Sequence, residues 1–255
     1  MSQEASVTTR APSSFRIGSA LSLAWEVYAR NFLKLVAIAV AAQVPIYLVS
    51  VLSPLSPQMT FRTAQGWLVL LLGLLIAAIH QGMVSYGAHE DLVHKPFEIG
   101  AAFRAVSGNL LALLGSWLIA GVLIEIGIIL FFVPGIIIAC MLFITTPVCV
   151  TEQRGVFDSL GRSKELTKGN RWKILALMLL LYGIPALIGF LISLLFLGGR
   201  IVASYAAPSY AFITATTLAQ ILVSSFVTVV VATSYFLLRT AKEGVDISQL
   251  TTVFD

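Results

Sequence analysis

The stretch PVCVTEQRGVFDSLGRSKELTKGNRWK, Pro147 to Lys173, decides how the chain is read. It holds Arg154, Arg162, Lys164, Lys168, Arg171 and Lys173, six of the sixteen lysines and arginines. Long apolar runs lie on both sides of it. Hydrophobic residues make up 58% of the chain and charged residues 11%, against roughly half and a quarter in ordinary soluble domains. The mean hydropathy is +0.94. Water is a poor solvent for such a surface. The chain is therefore counted in membrane spans of about 20 apolar residues, each crossing a hydrocarbon core about 30 Å thick.

Upstream of the stretch, the forty-two residues from Asn109 to Val150 carry one charge, Glu125. That length fits two spans, broken at Phe131-Phe132-Val133-Pro134-Gly135, with Pro134 opening the second. Two more spans fall at about 31–52 and 67–88. Downstream, two fall at about 172–197 and 209–238. Three amphipathic segments lie between them. The first begins at Phe15, capped by Ser14, with Ile17, Leu21, Ala24 and Tyr28 on its apolar face. The second opens at Pro96, with Glu98 in its first turn, and carries Phe97, Ile99, Ala102, Phe103 and Val106. The third is the basic stretch itself, with Val156, Phe157, Leu160 and Leu166 as its apolar side and Gly169 as its end. Within it Arg162 can pair with Asp158 or Glu165 at helical spacing. The expected fold is all-α: a polytopic membrane bundle of six transmembrane helices plus three interfacial helices. Residues 1–14 have no apolar core and read as a disordered cytoplasmic tail rather than a signal peptide. Residues 247–255 form a second short polar tail.

The pattern repeats. FRIGSAL at 15–21 resembles FEIGAAF at 97–103, and Asn31, Asn109 and Asn170 open the first, third and fifth spans. Pro45 and Pro185 fall at matching places after Asn31 and Asn170. Val84-Ser85-Tyr86 resembles Thr233-Ser234-Tyr235. A three-fold internal repeat over about 15–95, 96–152 and 153–246 is expected, with parallel units because each holds two crossings. Apolar composition alone is the competing explanation.

An even number of crossings puts both termini on one side. Fourteen lysines and arginines fall there, and only Arg62 and Arg200 on the other. The positive-inside rule makes the basic side, with both termini, cytoplasmic. The net charge of +4 then faces anionic headgroups rather than nucleic acid. Membrane lipids are the expected partners, and a homo-oligomer or a membrane-protein partner is compatible with the same surface.

A carboxylate in lipid must be paired, protonated or wet, which singles out Glu125. It lies about 24 Å along a helix from Asn109, within reach of Arg62 or Arg200. An outer ion pair is preferred to a proton or cation pathway. His80 sits at a different depth, so a His–Glu relay is disfavoured. Gln43, Gln81 and Gln220 read as amides that tie helices together. A water-filled cavity lined by Gln43, His80 and Gln220 would instead mark a transporter. Cys140 and Cys149 form no CxxC and no Cys/His cluster, so neither metal nor disulfide is expected. HExxH, GxSxG and P-loop motifs are absent from the sequence, and no catalytic residue or cofactor is expected.

Two segments carry a resemblance. In ITTPVCVTEQRGVFDSLGRSKELTKGNRWKIL the matching residues are Pro147, Val150, Glu152, Leu160, Arg162, Ser163, Leu166 and Gly169. In YFLLRTAKEGVDI they are Leu238, Arg239, Lys242, Glu243, Gly244 and Asp246, and the Pro134-Gly135 entry also fits. Both segments resemble the membrane domain joined to some bacterial glycerophosphodiester phosphodiesterases, and related stand-alone multi-span proteins of uncharacterised role. The resemblance implies a helical bundle of about six spans in a bacterial plasma membrane. It does not imply catalysis, because the diesterase chemistry of that family belongs to a separate soluble domain. The expected role is a non-enzymatic membrane scaffold or lipid-interacting protein at the cytoplasmic leaflet. A small-solute or lipid transporter is the alternative. An accessory membrane domain for phospholipid-diester metabolism is the third reading.

Overall fold

In hydrocarbon no water satisfies a free N–H or C=O, so spanning segments close their hydrogen bonds within themselves. The computed structural model describes residues 15–52, 64–183, 186–187 and 210–244. Among them there are helices and no strands. The elements are α1 (Ile17–Arg30), α2 (Phe32–Leu52), α3 (Ala64–Leu92), α4 (Ile99–Gly108), α5 (Leu110–Leu130), α6 (Phe132–Leu142), α7 (Thr145–Thr151), α8 (Val156–Thr167), α9 (Arg171–Met178) and α10 (Tyr210–Glu243). A π-helical turn, Leu179–Gly183, extends α9.

Five segments among the described residues are long and apolar enough to span: Phe32–Val49, Gly66–Leu92, Leu110–Leu130, Phe132–Thr151 and Thr217–Glu243. They match five of the six expected spans. Of the remaining one, 172–197, only the start and residues 186–187 are described.

The bundle is organised around α10, which packs against α1, α2, α3, α7 and α8. Its buried face carries small residues, including Ser225, Ala232, Thr233 and Ser234. On α3, Ala78, Gly82, Ser85, Gly87 and Ala88 are buried likewise. Lipid tails are as apolar as leucine, so helices in lipid associate through close packing, and small side chains permit it. Gly87 shows the consequence. A Cβ there would lie 2.0 Å from the Phe97 ring, so the missing side chain is what seats Phe97 against α3.

The break inside 109–150 falls where expected. Phe131 leaves helical geometry at φ −155°, ψ 121°, and α6 starts at Phe132. The α5–α6 hairpin closes on Gly127 and Gly135, where a Cβ on Gly135 would approach the Ile128 backbone N to 2.5 Å. A second, unexpected break separates α6 from α7 at Phe143 and Ile144. Carbonyls freed there find donors. Ser163 donates to the Met141 carbonyl at 2.8 Å, Thr167 to the same oxygen at 3.3 Å, and Thr145 to that of Leu142 at 2.8 Å.

That break corrects the reading of α8. Its buried face is Ser159, Leu160, Ser163, Leu166 and Thr167, because hydroxyls are needed against α6. Phe157, expected on the apolar side, is 75% exposed. The second amphipathic helix also starts later than expected: Pro96 precedes it, and Glu98 is its N-cap residue. Nor does α1 lie free in a membrane surface. Ala20, Ala24, Val27 and Tyr28 are buried, Thr233 donates to the Ala20 carbonyl at 3.2 Å, and Tyr28 donates to that of Leu222 at 3.2 Å.

Asn31, Asn109 and Asn170 share one geometry at the three helix junctions. Their φ/ψ values are −108°/17°, −125°/22° and −117°/11°. Each carbonyl accepts the first hydrogen bond of the following helix, from Leu35, Leu113 and Ile174.

Gly135→Ala is expected to destabilise the protein by about 1–3 kcal/mol through overpacking. Gly73→Ala, where a Cβ meets nothing within 4 Å, is not. Melting in detergent micelles checks the contrast.

Candidate functional site

Every described lysine and arginine gathers at one end of the bundle, and ion pairs and hydrogen bonds fix that end. Arg30 on α1 bonds Asp91 on α3 with Nε–Oδ1 at 3.1 Å. Lys34 donates to the Phe97 carbonyl at 2.7 Å. Asn109 donates to the carbonyls of Cys149 at 3.0 Å and Arg154 at 2.9 Å, closing the end of α7. Lys173 donates to the Phe15 carbonyl at 2.9 Å.

At the centre of this end is Glu152, whose side chain is only 8% exposed. Its carboxylate accepts from the Tyr235 hydroxyl at 2.9 Å, from Arg154 Nε at 2.5 Å and from Arg162 Nε at 3.4 Å. Arg162, itself 14% exposed, also pairs with Glu165 and Glu243. Arg239 bonds Glu243 at 2.9 Å and the Tyr235 hydroxyl at 3.1 Å. Lys242 donates to the Glu165 carbonyl. The result is a clasp joining the α7–α8 turn, α8 and the last turns of α10. Burial raises the cost of charging Glu152. Tyr235, Arg162 and Arg154 outweigh that cost and hold its carboxyl below the usual range.

The six basic residues of the central stretch therefore divide. Arg154 and Arg162 serve the clasp, and Lys173 holds the start of α1. Arg171 Nε is buried without a hydrogen-bond partner. Lys164 and Lys168 are exposed. Near them in sequence are Phe157, 75% exposed, and Trp172, 84% exposed. The expected Arg162–Glu165 pair is present at 3.4 Å, while the principal partners of Arg162 come from outside its own helix.

The polar residues within the spans do not converge. His80 is buried and lies 3.3 Å from the Ser225 hydroxyl. It lines a groove of about 340 Å³ with Ala37, Ala41, Met83 and Phe103, but not with Gln43 or Gln220. Gln220 is exposed on α10 and Gln43 half-buried on α2. Glu125 is exposed on α5 and has no ion pair among the described residues. Its expected partners Arg62 and Arg200 lie outside the described residues. Cys140 and Cys149 are buried free thiols. No group of three or more histidine, cysteine or acidic side chains among the described residues could hold a metal.

Residues 116–252 match the family described as the membrane domain of glycerophosphoryl diester phosphodiesterase. The match covers more than half the chain. The chain belongs to this family. A UPF0259 membrane protein of Serratia proteamaculans (strain 568) is 31% identical to this chain over 189 residues, covering 74% of this chain and 68% of that protein. A UPF0259 membrane protein of Pectobacterium carotovorum subsp. carotovorum (strain PC1) is 34% identical over 73 residues, covering 28% of this chain and 29% of that protein. No solved structure matches it. All the clasp residues of this membrane domain fall inside the matched segment.

Tyr235 was not foreseen as a clasp member; its signal was its place just before the charged run Arg239 to Glu243. The depressed Glu152 carboxyl stabilises the fold above the unfolded carboxyl pKa of about 4.3. That contribution is lost as pH falls through the lower folded value. Glu152→Gln is expected to cost on the order of 2–3 kcal/mol at pH 7. Its gap from the wild type should narrow as pH falls below about 4.3 and close only below the lowered folded value, as read in melting curves.

Proposed function

We propose that this membrane domain is a non-enzymatic scaffold that holds anionic lipid at the cytoplasmic leaflet, with both termini cytoplasmic in a bacterial inner membrane. The observation that carries the reading is the division of the basic stretch. Arg154 and Arg162 are occupied internally, while Lys164 and Lys168 stay exposed in the same stretch of sequence as the exposed Phe157 and Trp172. Exposed aromatic rings favour the headgroup level, and lysines there attract anionic lipid by about 1 kcal/mol each. Trp25 on α1 is likewise exposed, at 62%. The family's name links the domain to a glycerophosphoryl diester phosphodiesterase. A domain that holds phospholipid would suit an accessory place in such metabolism. The transporter reading needs Gln43, His80 and Gln220 around one cavity, and the groove that His80 lines holds neither glutamine.

The test separates the two classes of basic residue. Lys164→Gln with Lys168→Gln should reduce the preference for phosphatidylglycerol over phosphatidylcholine in liposome-derived nanodiscs, by about tenfold or more for two lysines, with melting unchanged. Arg154→Gln with Arg162→Gln should lower the melting temperature. Unchanged lipid preference in the lysine variant would remove the reading.

A further inference from the structure

A second polar feature lies away from the basic end. A groove of about 580 Å³ runs between α3, α5 and the α6–α7 segment, lined by Gln81, Trp117, Gly121, Glu125, Thr145 and Thr146 among apolar side chains. Trp117, Gly121 and Glu125 stand at i, i+4 and i+8 on one face of α5. Trp117 and Glu125 are thus about 12 Å apart along the axis. Gly121 leaves the space between them open, since a Cβ there meets no heavy atom within 4 Å.

The polar groups in this groove differ in how they are satisfied. Trp117 Nε1 donates to the Thr146 hydroxyl at 3.0 Å, and Thr145 to the Leu142 carbonyl. The Gln81 amide and the Glu125 carboxylate have no hydrogen-bond partner among the described residues. A carboxylate at membrane depth is stable only when paired, protonated or wet. Every described lysine and arginine lies at the other end of the bundle. Glu125 is fifteen residues into α5 from that end, about 22 Å, and so sits in the half of the bilayer away from the basic end.

We propose that this groove binds a phospholipid of the far leaflet bearing a primary ammonium headgroup, of the phosphatidylethanolamine class. The ammonium pairs with Glu125, the glycerol lies over Gly121, and an acyl chain runs on past Trp117. The charge of Glu125 selects the ammonium. The apolar lining selects a lipid over a soluble amine, which would have to cross hydrocarbon to reach it.

The experiment is native mass spectrometry of the delipidated full chain, challenged with equal amounts of phosphatidylethanolamine and phosphatidylcholine, both zwitterionic, so that the exposed lysines favour neither. The wild type should retain phosphatidylethanolamine over phosphatidylcholine by about fivefold, the factor a charge-assisted hydrogen bond of roughly 1 kcal/mol is worth, which a primary ammonium can donate and a quaternary one cannot. Glu125→Gln, which keeps shape and removes charge, should abolish the preference. Gly121→Leu should abolish the adduct by filling the groove. The Lys164/Lys168 variant should leave it unchanged, so this site and the cytoplasmic-leaflet reading fail separately. No preference in the wild type, or one that survives Glu125→Gln, overturns the proposal. If Gly121→Leu does not fold, the Glu125→Gln result decides alone.

Discussion

The fold depends on one buried carboxylate. Glu152 sits where the α7–α8 turn meets the last turns of α10, and three donors from two directions converge on it. Replacing a buried ion pair by apolar residues is often neutral, whereas removing one partner leaves an uncompensated charge. The clasp therefore acts chiefly as a constraint. Once Glu152 is placed, Tyr235 and Arg162 have fixed positions, and through Glu243 and Arg239 so does the end of α10. Because α10 is the helix on which α1, α2 and α3 pack, holding its end sets the register of the bundle.

The same logic places the other polar groups. A break in a membrane helix frees carbonyls that lipid cannot satisfy. Here the α6–α7 break is closed by hydroxyls of α8, so the helix nearest the basic end has a face of serine and threonine. Asn109 performs the corresponding task for the end of α7. Away from the basic end the polar groups are scattered: His80 lies against Ser225, Tyr47 against Thr214, and Gln81 and Glu125 line one groove.

Much of the architecture was legible because hydrocarbon imposes simple rules. Spans follow from apolar length, and the hairpin break from Pro134 and Gly135. The Arg162–Glu165 pair follows from helical spacing. What was hidden depends on contacts between distant segments. Nothing near Phe143 announces a helix break, so the buried hydroxyl face of α8 and the exposure of Phe157 could not be read locally. The partners of Glu152 and Arg162 lie about eighty positions away at Tyr235 and Glu243. Charge runs flanking spans suggest contact with lipid headgroups, and only the fold reveals which of them are already occupied. The sharing of one groove by Gln81 and Glu125 likewise required the pairing of α3 with α5.

The most direct test of this account is a double-mutant cycle between Glu152→Gln and Tyr235→Phe, read as unfolding free energy in mixed detergent–SDS micelles. If the carboxylate organises the end of α10 through Tyr235, the two substitutions will be non-additive by about 1 kcal/mol or more. Strict additivity, or an α10 end that stays equally protected from proteolysis in Glu152→Gln, would contradict it.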